Sequence, residues 1–353
     1  MTTSPLTRLL CALIVCPLGS SVANAAWIVQ DSPLPAASFR AVQAVSARVV
    51  WIGGSGGACL RTLDGGQTWQ IRAVPGAEAL DFRGLAAFDK QTALLVSAGP
   101  AEQGHARIYR TADGGETWQL VFQTREKGVF LDGVAFWDPL NGLAFGDPVD
   151  SEWYLLRTRD GGRTWQRIAP ENLPPMLPHE AAFAASNSSL IVQGGAGALI
   201  ATGGADRTRV FISADRGEHW EAIDTPMPGG ATAGIFGLRF WDARHGMGVG
   251  GDFKRDREAS DNVMLTSDAG RTWQKATPAD PPGLKEAAIK LSDTALLAVG
   301  PSGTGISRDS GRSWRQADAL ALHAASCAKD QCWAVGNGLI AKWESLTTKN
   351  VIP

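Results

Sequence analysis

Histidine and cysteine are scarce and scattered, five of each in 353 residues. No CxxC pair occurs, so the spacing that builds most structural zinc sites is missing. A phosphate-binding loop and a dinucleotide-binding fingerprint leading from strand into helix are absent too, and neither a metal nor a cofactor is expected. Charge of one sign is also lacking. Lys+Arg 33 against Asp+Glu 35 leaves −2, too balanced for a protein whose main task is gripping a nucleic-acid backbone. No apolar run reaches the roughly 20 residues that cross a bilayer, so no transmembrane segment is expected. What is abundant is turn-forming: 41 glycines and 19 prolines, with 13 tryptophans beside only two tyrosines. That balance points to many tight turns and one recurring aromatic anchor.

The N-terminus has the build of a secretory signal: basic Arg8, an apolar stretch from Leu9 to Leu18, and small residues at Ala23 and Ala25. Cleavage is expected after Ala25, giving an exported protein, periplasmic or secreted. Cys11 and Cys16 leave with this leader, and Val15 before Cys16 departs from the small residue of lipid-attachment signals. Cys327 and Cys332 flank a turn-sized gap between two short apolar runs, which puts them within disulfide reach in an oxidising compartment. Cys59 is left over and reads as a small buried apolar residue.

One phrase is written six times: TLDGGQTW, TADGGETW, TRDGGRTW, SADRGEHW, TSDAGRTW and SRDSGRSW. Its aspartates are Asp64, Asp113, Asp160, Asp215, Asp268 and Asp309, spaced 49, 47, 55, 53 and 41 residues apart, a period suited to one four-stranded propeller blade. Its tryptophans are Trp69, Trp118, Trp165, Trp220, Trp273 and Trp314. The Asp carboxylate can accept backbone N–H bonds, the glycines can take positive φ to close a hairpin, and the Trp can bury an apolar face at the start of the next strand. Six equivalent copies suit a structural role rather than one reaction centre.

Between these turns, FRGLAAF (82–88), TALLVSAG (92–99), RIYRT (107–111) and TWQLVF (117–122) read as the four strands of one unit. After Trp314 come LHAAS, CWAVG and LIAKW, three strands without a fourth. Trp27 to Gln30 resembles the Trp-Gln opening after four of the motifs and supplies the missing strand. The expected architecture is all-β: a signal peptide at 1–25, a seven-bladed propeller at 26–346 closed by its own N-terminal strand, and a tail at 347–353. A monomer is expected.

The repeated turns resemble Asp boxes, or BNR repeats, found in sialidases, some glycoside hydrolases and sorting receptors. With openings such as Phe39-Arg40 and Phe82-Arg83 and the phrase GLAFGDPVD at 142–150, the chain resembles the photosystem II assembly/stability factor family, whose bacterial relatives also occur as exported proteins. The resemblance covers nearly all of residues 27 to 345. It implies a non-catalytic propeller that binds a protein partner, a membrane-protein assembly intermediate, through a basic patch.

In such a ring the inner strands start at one channel mouth, shared with the loops between second and third strands. Aligning the units places Arg40, Arg83, Asp132, Glu180, Phe236, Lys285 and His323 at one equivalent inner-strand position, basic on blades six, seven, one and two and acidic on three and four. An anionic group would be drawn to the basic half without any strong net charge on the protein. The bland alternative is a rim whose charges pair with one another. Asp147, and Asp252, Lys254 and Arg255 in a long charged loop, belong to the same face.

Hydrolytic readings are the runner-up. A sialidase-like site needs a tyrosine nucleophile, yet Tyr109 and Tyr154 both lie on strands entering a repeated turn. A two-carboxylate glycosidase could use Asp132 and Glu180 across neighbouring blades. Gly53-Gly54-Ser55-Gly56-Gly57 fits a nucleophile-elbow pattern but sits between strands, and His179-Glu180 lacks the second histidine of a zinc-protease helix.

Overall fold

A computed structural model describes residues 24–258, 261–276 and 282–346. The expected leader up to residue 23 and the tail at 347–353 lie outside the described residues. The described residues form seven four-stranded antiparallel sheets, each built from consecutive strands except the last. Blade two shows the pattern: Asp81–Ala87, Ala93–Ala98, Arg107–Thr111 and Gln119–Gln123. The inner strands are Phe39–Ala44, Asp81–Ala87, Leu131–Phe136, Leu190–Gln193, Ala233–Phe240, Ala287–Lys290 and Leu322–Ala328. Each lies beside the inner strands of both neighbouring blades, in an unbroken circuit. The chain is a seven-bladed β-propeller.

The last sheet holds both ends of the described chain. Asn24–Gln30 pairs antiparallel with Ile340–Leu346, from Asn24 opposite Leu346 to Gln30 opposite Ile340. Cleavage after Ala25 would leave five of those seven pairs, Ala26 to Gln30. Trp27 packs edge-on against Trp343 with ring centroids 5.1 Å apart, and its Nε1 donates to Thr304 Oγ1 of blade six at 3.0 Å. Cys327 and Cys332 face each other across the hairpin of this blade and are joined by a disulfide. Cys59 is buried and free, and burial pushes its thiol pKa up.

Among the described residues the core forms seven wedges, one between each pair of neighbouring blades, and a small eighth cluster of Ala185, Phe236 and Leu284 at the axis. This division follows from strand alternation: residues on both faces of a radial sheet are apolar, so each sheet needs a partner on either side. The repeated turns close these wedges from one face of the ring. In each, the Ser/Thr hydroxyl accepts the glycine N–H four residues on at 2.8–3.0 Å and donates to the Asp carboxylate. That carboxylate in turn accepts the backbone N–H of its own fourth-following residue at 2.9–3.0 Å. Each turn is thereby a satisfied backbone knot, which releases its Trp just before the outer strand. Trp118 Nε1 donates to Arg72 O on the preceding blade, and Trp69 Nε1 to Gln30 Oε1 on the closing strand.

A chain starting at Ser32 lacks the closing strand and exposes Trp343, so its melting temperature should fall by at least about 10 °C; a calorimetric scan with unchanged melting would contradict the closure. In the last three turns the left-handed position after Asp is not glycine but Arg216 (φ 62°), Ala269 (φ 65°) and Ser310 (φ 63°). Replacing each by glycine should stabilise the fold by about 0.5 kcal/mol, relief of strain exceeding the added unfolded-chain entropy. A lower melting temperature in these three variants would show that no strain resides there.

Candidate functional site

Near the start of five inner strands the pairing slips by one residue: at Phe39/Ala41, Phe82/Gly84, Leu131/Gly133, Ile235/Gly237 and Leu322/Ala324. The residues inserted by these bulges are Arg40, Arg83, Asp132, Phe236 and His323, and all of them line one recess of about 640 Å³ at the strand-start mouth. In four of these five blades the second strand makes room for the bulge by carrying glycine opposite it, while in blade two Ser97 takes that place. A Cβ on Gly54, Gly146, Gly250 or Gly336 would come within 2.6 Å or less of a carbonyl oxygen at or just before the start of the inner strand, that of Ser38, Phe130, Gly234 or Ala321. Asp147 lines the same recess from near the end of the second strand of blade three, Gly142–Val149.

Two of the aligned residues are elsewhere. Gly300 has the same close approach to Leu284 O, which puts Lys285 before the rim position and Glu286 on it. Lys285 is 1% exposed, and its ammonium donates to Pro282 O at 2.8 Å and Ser302 Oγ at 2.5 Å. Burial pushes its pKa down to about 8, against the opposing pull of Asp318. Bulges in five of the other inner strands break the two-residue alternation on which a strand alignment depends, and the alignment to blade six slips by one residue. Blade six thus presents an acid, Glu286, where a base was expected.

Glu180 is likewise not on the rim. Its carboxylate is buried in blade four, accepting Arg209 Nε at 2.9 Å, Thr202 Oγ1 at 2.7 Å and Leu177 N at 2.9 Å, with Arg209 Nη2 also bonded to Oε2. The inner strand of that blade begins only at Leu190, and the chain before it crosses the axis. Asn187 Nδ2 donates to Leu85 O of blade two at 2.8 Å, and its Oδ1 accepts Val134 N of blade three at 2.9 Å. Ser186 Oγ donates to Glu286 O of blade six, and Ser188 O accepts Leu238 N of blade five. Gly237 permits this contact, since a Cβ there would sit 2.4 Å from Ser188 Oγ. The segment lines the strand-start recess with Ala182 to Ala185 and a second recess, at the turn face, with Asn187. It is an axial plug, and only the long 55-residue spacing between Asp160 and Asp215 hinted at it in sequence.

The rim charges largely pair. Arg83 Nε lies 2.7 Å from Asp81 Oδ2, and its Nη1 donates to Ala184 O of the plug at 3.2 Å. Arg40 Nη1 is 3.8 Å from Glu286 Oε1, while His323 Nδ1 is 2.6 Å from Glu286 Oε2. The expected basic half is therefore interrupted by Glu286. Asp132 and Asp147 stand apart from these pairs. Asp132 is 1% exposed and its Oδ2 has no hydrogen-bond partner among the described residues. Burial first, then the charge of Asp147, pushes its pKa well above the usual carboxylate range, with Arg83 opposing. Burial pushes Asp147 up to about 6, offset in part by the Ala182 N–H that it accepts at 2.9 Å.

One wall of the recess is aromatic. Phe183 of the plug stacks on Phe236 with centroids 4.2 Å apart and planes 4° from parallel, and Phe253 meets Phe183 edge-on at 6.0 Å. Phe253 and Asp256 carry the long charged loop into the recess. Asp252, Lys254 and Arg255 are not among its lining residues. Asp252 instead ties the loop's turn, accepting Thr232 Oγ1 at 2.7 Å, Lys254 N at 2.9 Å and Arg255 Nε at 3.0 Å. Tyr109 and Tyr154 are buried in the blade wedges, away from the recess.

No family model matches the chain, and no curated protein matches it. Solved structures do. YCF48 bound to D1 peptide superposes with a TM-score of 0.64 at 15% identity, over 90% of this chain and 96% of that one. YCF48 from Cyanidioschyzon merolae gives 0.62 at 15% identity, over 90% and 99%. The WD40 β-propeller domain of Doa1 gives 0.59 at 13% identity, over 91% and 97%. At these identities the likeness is one of fold.

The two kinds of carboxylate act on stability in opposite directions. Asp147 has a folded pKa above its unfolded value, so it binds more protons when folded and lowers stability as pH rises from about 4 through 6. The six turn carboxylates have folded pKa values of about 2. In Asp64, Asp113, Asp268 and Asp309 the largest cause is the hydroxyl four residues on, followed by the N–H of that residue. In Asp160 and Asp215 partial burial opposes the shift and the same kind of bonds overcome it. Their stabilisation is present above pH 4 and lost as pH falls towards 2. Asp147→Asn should therefore stabilise the protein at pH 8, by on the order of 2 kcal/mol, and little at pH 4.5. Denaturant melts at the two pH values check this, and a variant destabilised at pH 8 would contradict it.

Proposed function

We propose that this chain is an exported, non-catalytic propeller that binds a polypeptide partner in the strand-start recess and serves as a binding or assembly factor. The observation that carries the reading is the recess itself: a cup backed by the axial plug, with an aromatic wall and charged groups that mostly pair with one another. Such a surface supplies apolar contact and directional hydrogen bonds. The six turns are read as Asp boxes, and the chain as a relative of the photosystem II assembly/stability factor family, with a membrane-protein assembly intermediate as partner. This takes support from the YCF48 structures among its fold neighbours, one of them bound to a peptide. Export follows from the signal-like leader, and monomeric behaviour is part of the proposal.

The hydrolase alternative keeps Asp132 but loses the other residues on which it rested. Glu180 is consumed by Arg209, and both tyrosines are buried in blade wedges. It would have to run on Asp132 and Asp147.

The test uses the protein starting at Ala26 as bait for solubilised membranes and periplasm of its host. Phe253→Ala, which removes the exposed edge of the aromatic wall, and Arg83→Gln should each reduce partner retention about tenfold. Asp242→Ala, on the turn face, should leave it unchanged. Retention lost only in Asp242→Ala would move the contact surface to the other face and overturn the proposal.

A further inference from the structure

The recess holds four carboxyl groups, Asp132, Asp147, Asp256 and Glu286, against two guanidinium groups, Arg40 and Arg83, and one imidazole, His323. Its cations are already engaged. Arg83 is held by Asp81 and the plug carbonyl of Ala184, and Arg40 faces Glu286, which His323 also contacts. An incoming anion would have to displace those partners and approach four acids. The unused hydrogen-bonding capacity lies at Asp132 Oδ2 and at His323 Nε2, both buried and without a partner among the described residues. Asp132 is the bulge residue after Leu131, and Leu131 pairs with Gly146, the residue before Asp147. The two acids therefore leave adjacent strands side by side, in the recess that the Phe183–Phe236 stack and Phe253 also line, and Asp147 accepts the N–H of Ala182, the residue before Phe183.

We propose that this pair of acids and the aromatic wall form a subsite for an organic cation on an apolar stem, the lysine or arginine side chain of a bound polypeptide. The inference rests on the peptide-binding reading of the same recess. An ammonium brings up to three donors to the carboxyl oxygens, while its methylene stem lies along the phenyl faces. A cation over those faces gains further from the ring quadrupole. The basic groups expected to attract an anion instead hold the acids of the rim in place.

Proton linkage gives a second signature. In the free protein, burial and then the charge of Asp147 raise the pKa of Asp132, with Arg83 pulling the other way. The other charged groups facing the recess are Arg40, Asp256, Glu286 and His323. A cation between the two acids stabilises their ionised forms, so binding releases protons and strengthens as pH rises from 5 to 8.

The experiment measures calorimetric binding of acetylated, amidated Gly-Phe-Lys-Gly to the protein starting at Ala26, in two buffers of different ionisation heat. The same sequence with Gln or Glu in place of Lys, free pentylamine and calcium chloride are the comparison probes. The Lys peptide should bind at least about tenfold more tightly than the Gln and Glu peptides, with net proton release. Asp132→Asn and Asp147→Asn should each weaken it about tenfold, at unchanged secondary structure and cooperative melting; Asp147→Asn alone decides the matter should Asp132→Asn not fold. Pentylamine binding without peptide binding would keep the cation subsite and remove the polypeptide reading. Equal or tighter binding of the Glu peptide would overturn the subsite while leaving peptide binding intact. Binding of calcium alone, proton uptake, or no binding by any probe would overturn the subsite.

Discussion

A four-stranded sheet that is apolar on both faces cannot hide either face alone, and that constraint governs the rest of this structure. Packing such sheets radially solves the problem for all but the first and last, so the ring must close. Closure rests on Trp27 to Gln30 lying against Ile340 to Trp343. Two tryptophans, Trp27 and Trp343, sit directly opposite each other in that ladder, and the indole of Trp27 also reaches blade six. The N-terminal strand is therefore both the outer edge of one sheet and a wall of the wedge next to it.

Closure creates an axis, and what happens along that axis creates the site. Regular inner strands would point their side chains into the wedges on either side. In five blades a bulge interrupts this and frees one side chain for the mouth, and in four of them glycine on the neighbouring strand gives the backbone room to fold over. Blade four uses its early residues differently, as a plug pinned by hydrogen bonds to blades two, three, five and six. The recess therefore has a floor, and its charged groups sit against protein rather than against an open water column. Burial against that floor is what raises the Asp132 and Asp147 pKa values.

The fold was legible because each of its devices leaves a local mark. The turn knot needs Ser/Thr, Asp and Gly at fixed offsets, and the closing strand repeats the wording of other outer strands. The site was less legible because it depends on single-residue departures from strand alternation. Arg40, Arg83, Asp132 and His323 fell on the right position where an apolar residue preceded them: Phe39, Phe82, Leu131 and Leu322. In blade six that place is taken by Lys285, a charged residue with a fully polar tether, so the alignment slid and Glu286 was passed over. Glu180 was misplaced for a different reason. A run of small residues after it reads as strand, and only the tertiary contacts of Asn187 and Ser188 reveal it as the plug. Phe183 and Phe253 have no sequence signal, because an edge-on contact between a plug and a loop follows no sequence period at all.

Amide hydrogen exchange, compared between the free and partner-loaded protein, tests the central claim most directly. Binding in the plugged recess predicts added protection confined to residues 181–189, the inner-strand bulges and the loop around Phe253, with exchange in the six repeated turns unchanged. Protection confined to the turn face, or to the outer strands, would contradict it.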